Sequence, residues 1–189
     1  MGKFRIYIKS KNFVWTRGRI ILFVLIFTIL IFGFENFLLK NIDDNVLNKT
    51  VGFIMILSFV LGLINNFFRE ELKGELSGYI IFSDEEIQID KKTYHLNEIR
   101  SIKFEGYDFL DKIVLYNFPN GMFSIGVDNT LSIILNSGEV ISVNFQKNYE
   151  NELRKVKKQL TNYLDKNKLT KQNYIDTLDV NENIFHKIF

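Results

Sequence analysis

The chain has 189 residues, room for one ordinary domain and a smaller appendage, and a formal net charge of only +2. It has no cysteine, which excludes disulfides and thiolate chemistry and leaves a zinc site only His95, His186 and carboxylates to draw on. Alanine is absent while Ile, Lys, Asn and Phe abound, a set encoded by AT-rich codons that points to a low-GC bacterial genome.

Residues 1–19 read as a basic segment with Lys3, Arg5, Lys9, Lys11, Arg17 and Arg19, in which Tyr7, Phe13 and Trp15 suit a membrane interface as anchors. From Ile20 to Phe34, thirteen of fifteen residues are large and apolar, interrupted by Thr28 and Gly33, and the run continues to Leu39. Twenty residues at about 1.5 Å each cover the roughly 30 Å of a hydrocarbon layer. At about −0.3 to −0.6 kcal/mol per residue, the thirteen favour insertion by about 4 to 8 kcal/mol, which outweighs Glu35 near the end. Glu35-Asn36-Phe37-Leu38 supplies no small-residue cleavage site, so the segment is expected to stay attached.

A second run, residues 50–68, follows the short loop 40–49 and predicts an antiparallel hairpin of spans 20–39 and 50–68. The excess of Lys and Arg before the first span predicts cytoplasmic termini in a bacterial inner membrane. Ser58 and Gly62, four apart, would let two backbones approach closely, or are a chance pair of small residues. Glu35 and Lys49 fall together at the outer end, where an interfacial ion pair competes with an ion path as the reading. The Asn48-Lys49-Thr50 sequon lies against the bilayer and is read as accidental.

Beyond Arg69 the period changes to two. Short strands are expected at 75–82, 86–90, 93–97, 99–106 and 112–117, then a hairpin at 130–145 about Asn136-Ser137-Gly138-Glu139. Seven strands in meander order result. The longest break, 118–129, holds the only proline; Phe123, Asp128 and Asn129 in it are candidate partner contacts, with an ordinary connecting loop as the alternative. A helix is expected over 148–165, capped by Asn148, with Leu153, Val156, Leu160, Tyr163 and Leu164 on one stripe. A small bent barrel capped by this helix would bury that stripe, with 166–189 as a tail. The tail has a short helical pattern at Tyr174, Ile175 and Leu178, then an apolar end, Ile184, Phe185, Ile188 and Phe189, that could dock on the domain, touch the inner leaflet or bind a partner.

Two spans followed by "GYIIFSDEEIQIDKKTYHLNEIRSIKF", "TLSIILNSGEVISVNF" and a helix resemble the bacterial membrane-anchored proteins with a pleckstrin-homology-like (PH-like) domain, over about residues 74–164. The resemblance implies a non-enzymatic binding or scaffolding domain, residues 69–165, without a cofactor, which holds a protein partner or assembles with itself. Phosphoinositide binding is not implied, because the first hairpin turn reads Ser83-Asp84-Glu85-Glu86.

Residues 69–189 hold sixteen Lys and Arg against nineteen Asp and Glu, a net of −3, so nucleic acid is not an expected partner. Arg154, Lys155, Lys157 and Lys158 form the one basic cluster, read as a solvated face or a lipid-headgroup contact. No phosphate-loop, dinucleotide, zinc-protease or serine-hydrolase motif occurs. The acid clusters Asp43-Asp44 and Asp84-Glu85-Glu86 read as turns, and His95 as a packed or hydrogen-bonded strand residue. The runner-up function is a transporter or channel subunit built from oligomerised hairpins; a third, a membrane-bound enzyme, needs a pocket from Tyr94, His95, Asp128 and Asn129.

Overall fold

The structure is a computed structural model that describes residues 2–38, 45–115 and 117–179, without the side chains of 35–38, 45 and 47. The expectations for Asp43-Asp44, His186 and the apolar end 184–189 lie outside the described residues, as does the Glu35 side chain. The chain forms two compact units: Met1–Ser10 with Gly74–Lys112 and Ile125–Phe189, and Lys11–Lys73 with Ile113–Ser124.

The first unit is built on β1 (Lys3–Lys9), β2 (Gly74–Phe82), β3 (Glu86–Ile89), β4 (Lys92–His95), β5 (Ile99–Glu105), β8 (Asn129–Leu135) and β9 (Val140–Phe145). They make one seven-stranded sheet in the order β4-β3-β2-β1-β9-β8-β5, with antiparallel pairings from strand to strand among the described residues. This is a meander whose first and last strands pair and whose ring opens between β4 and β5, so the sheet is not a closed barrel. The excursion β6 (Leu110–Ile113) and β7 (Phe123–Ile125) forms a separate two-stranded ribbon.

In the strands, two features differ from the sequence reading. Lys3–Lys9, expected to be a basic flank, is the central strand, and its Phe4, Ile6 and Tyr7 are buried. Its alternation of charged and apolar residues is a strand period that proximity to the apolar run masks. Tyr7 is therefore a core residue and not an interface anchor. The expected strand 112–117 is only Leu110–Ile113, and it stays outside the main sheet.

The core joins Ile80, Phe82, Ile87, Ile99, Leu131 and Ile133 from the sheet to a C-terminal helical layer. That layer begins not with a capped α-helix at Asn148 but with a 3-10 helix, Glu152–Val156, leading into α3 (Lys157–Asp165) and α4 (Lys171–Leu178). Asn148 instead donates its backbone N–H and its side-chain amide to the Glu152 carboxylate. Tyr163 is fully buried and donates to the Ser83 carbonyl at 2.6 Å. Burial pushes its phenol well above the ordinary range, so it stays a donor.

Residues 168–178, expected to be tail, belong to this core: Leu169, Tyr174, Ile175 and Leu178 are buried. The Asn173 side chain accepts from the Phe104 N–H and donates to the Phe104 carbonyl, at 2.8 and 2.7 Å. Those two bonds cover part of the edge that β5 leaves open.

The second unit contains α1 (Arg17–Leu38) and α2 (Asn45–Asn65), packed on each other. α2 begins five residues before the expected span and ends three before it; Thr50 sits inside it and donates to the Val46 carbonyl at 2.9 Å. Both helices are long and apolar enough to cross a membrane.

Candidate functional site

The hairpin inverts the usual burial rule. Of Arg17–Phe34 only 11% of the residues are buried, and of Asn48–Asn65 only 22%. The buried positions are Gly18 and Thr28 on α1, and Val51, Ser58, Gly62 and Asn65 on α2. The α2 set recurs at intervals of seven, four and three, one narrow stripe. Large apolar side chains face outward instead, among them Phe23, Leu30, Phe53 and Ile56 at 57, 64, 65 and 67% exposure. Each such side chain left in water forgoes about 1.5 to 3 kcal/mol, and a continuous apolar surface of this kind marks contact with a membrane or another protein. Thr28 satisfies its hydroxyl within its own helix, donating to the Val24 carbonyl at 2.6 Å.

Ser58 is buried on the stripe. Gly62 has a different role. A Cβ there would lie 2.9 Å from the Phe118 ring and 3.6 Å from Pro119, so the missing side chain admits the loop that follows β6. Lys49 is exposed.

That loop, read as a surface connection, is packed at the base of the hairpin. Asn65 donates to the Pro119 carbonyl at 2.5 Å, and the Met122 N–H to the Asn66 carbonyl at 3.0 Å. Gly121, at φ +106°, lies where a Cβ would strike the Phe68 carbonyl at 2.6 Å. Phe123 acts through its backbone, its carbonyl accepting from the Glu70 N–H at 2.8 Å. The Glu70 carboxylate accepts from Asn117 at 3.1 Å. Beside it Arg17 pairs with Glu71 at 3.2 Å and its guanidinium lies 5.2 Å from the Phe68 ring centre.

In the first unit, Asn129 is a structural residue and not a partner contact. It is fully buried, its carbonyl oxygen accepts from the Asp108 N–H, and its amide donates to Gly126 and Phe145 carbonyls. Asp128 is exposed, and its N–H donates to the Asp108 carboxylate at 3.0 Å. His95 is exposed, with Nδ1 3.5 Å from Glu86.

The basic cluster is largely occupied within the fold. Arg154 donates to the Leu178 and Asp179 carbonyls, both at 2.9 Å. Lys155 is 2.9 Å from Glu152 and lies over Tyr149, and its bond to Glu152 raises its pKa. Lys158 meets Asp84 at 3.2 Å, and Lys166 meets Glu85 at 2.8 Å. The acidic turn and the basic helix thus answer each other. Lys157 is the one member of the four without an ion pair among the described residues.

Sequence reasoning missed Lys147. It lines a cleft of about 370 Å³ with Phe104, Tyr107, Phe145, Glu150 and Asp176, a volume within the usual range of ligand pockets. Lys147 is 5% exposed, and its ammonium has no hydrogen bond or ion pair among the described residues. Desolvation pushes its pKa down, with Asp108 opposing. The signal was parity: Lys147 continues the inward phase of Val143 and Phe145 past the end of β9. Among the described residues no group of three or more His, Asp or Glu is placed to hold a metal ion. Comparisons of the chain with family models, with curated proteins and with solved structures find no match.

Proposed function

We propose that the chain is a membrane-tethered, non-enzymatic binding protein: α1 and α2 cross a bacterial inner membrane, and the sheet unit meets a partner at the cytoplasmic face. The observation that carries this reading is the inverted burial of the hairpin, with large apolar side chains outward and Thr28, Ser58 and Gly62 inward. Topology supports it, since β1 precedes α1, β2 follows α2, and the two strands pair in one sheet. Both helix ends therefore belong on one side. The PH-like reading is supported by the strand order once the β6–β7 excursion is set aside: a meander joined first strand to last, followed by a helix. The Lys147 cleft is the place on this unit suited to receive a polar group of a partner.

The absence of cysteine makes the topology directly testable. Single cysteines at Lys11, Lys49 and Lys157, all exposed, are labelled in intact cells and in inside-out vesicles with a maleimide that cannot cross membranes. Lys11→Cys and Lys157→Cys should react only from the cytoplasmic face and Lys49→Cys only from the other. Reaction of all three from one face overturns the spanning reading. For the binding role, a photoreactive residue at Asn151, in the cleft wall, should crosslink a defined partner in native membranes, and Lys147→Glu should abolish that product. No crosslink beyond the lipid background overturns it.

A further inference from the structure

An aromatic ladder runs up the start of the hairpin. Phe13 and Trp15 meet edge to face at 5.1 Å, Trp15 meets Phe23 at 5.9 Å, and Phe23 stacks on Phe27 at 6.1 Å. All four rings are more than half exposed, so they are packed against each other yet open to their surroundings. At the bottom of the ladder the Arg19 guanidinium sits 4.5 Å from the Phe13 ring centre and donates one N–H to the Val14 carbonyl at 2.6 Å. These two contacts fix the guanidinium in place, and its remaining donors have no partner among the described residues. Lys11 adds an exposed cation to the half-buried Arg19.

We propose that Phe13, Trp15 and Arg19 form an interfacial anchor that seats the start of α1 at the phosphate level of an anionic leaflet, Arg19 taking a lipid phosphate. The proposal rests on the membrane-spanning reading and adds to it a depth and a ligand. Amphipathic rings settle where apolar chains give way to headgroups. A planar guanidinium presents paired donors that match phosphate oxygens. The charge of Lys11 and Arg19 complements an anionic surface, while Phe23 and Phe27 continue the anchor into the apolar face of α1.

Trp15 is the only tryptophan, so the full chain carries its own depth probe. It is reconstituted in vesicles of phosphatidylglycerol and phosphatidylcholine containing lipids brominated either near the glycerol end or near the tip of the acyl chain. Trp15 should be quenched more by the shallow bromines than by the deep ones. The double variant Trp15→Phe, Phe27→Trp should show the reverse. Arg19→Gln should lower the shallow-to-deep quenching ratio of Trp15, whereas Arg19→Lys should retain most of it. If Trp15 is quenched by aqueous iodide and not by bromolipid while the Phe27→Trp probe is quenched deep, the anchor is overturned and the span stands. If both probes respond only to iodide, the span itself falls. An unchanged ratio in Arg19→Gln overturns the phosphate contact.

Discussion

Lys9 and Gly74 stand opposite each other as the last pair of the β1–β2 ladder, although α1 and α2 lie between them in the chain. The chain therefore leaves the sheet at the end of β1, runs through both helices and returns to the start of the neighbouring strand β2. The closeness of that rung is built on glycine. A Cβ at Gly74 would meet the Ile8 carbonyl and lie 2.9 Å from the Lys9 Cα.

Gly74→Val should therefore prise the ladder open where the hairpin joins the sheet, at a cost of roughly 2 kcal/mol, the usual range for overpacking. The check is the thermal midpoint of the purified full chain in detergent, read by the β-sheet circular dichroism signal. A midpoint equal to wild type would show that the β1–β2 rung contributes nothing to holding the sheet.

Glu152 is 2% exposed and accepts from the Asn148 backbone and amide and from Lys155. Glu152→Ala leaves those donors facing a void and should cost about 1 to 3 kcal/mol. Glu152→Gln keeps the shape but gives up the charged acceptor, so it should fall between the two. Chemical denaturation that ranks Gln below Ala would contradict this account.

Lys147 offers a test with a definite pH sign. Its folded pKa lies below its unfolded value, so between the two the unfolded chain holds a proton that the folded chain has released. The stability this group contributes therefore rises with pH in that window below the ordinary lysine value, and its cost is fully present below the folded pKa. Lys147→Met should raise the thermal midpoint at pH 7 and flatten that rise, because a methionine fills the site without a buried charge. A lower midpoint at pH 7 would mean that the ammonium is compensated by a partner group.

Gly62→Leu should expel Phe118 and Pro119 from the base of the hairpin, since even a Cβ would sit 2.9 Å from the Phe118 ring. The expected sign is faster proteolysis within residues 113–124, with overpacking of about 1 to 3 kcal/mol concentrated in the second unit. The Gly52→Leu control has open space where its Cβ would be and should be cleaved at the wild-type rate. Equal rates in Gly62→Leu and the control would show that the loop does not depend on the Gly62 notch.

Several elements were legible without coordinates. The alternation in residues 75–82 and 99–106 became β2 and β5, and the Asn136–Glu139 turn joins β8 to β9. The stripe of Leu153, Val156, Leu160 and Tyr163 is buried. What escaped was long-range. β1 carries a strand period, but seven residues before an apolar helix reveal no partner, and its neighbours β2 and β9 are far along the chain. Asn129 looked like a surface contact because hydrogen bonding, not hydrophobicity, buries it.

By itself the sequence determined two helices long and apolar enough to cross a membrane and a β-rich remainder. Apolar run length and residue period are local properties, and they decide element type. Only the tertiary structure decided that the N-terminal strand closes the meander between β2 and β9, that the acidic turn and basic helix neutralise each other, and that Lys147 lies sealed in a cleft. Those outcomes depend on which distant segments meet, and on how much water each meeting removes from a charge.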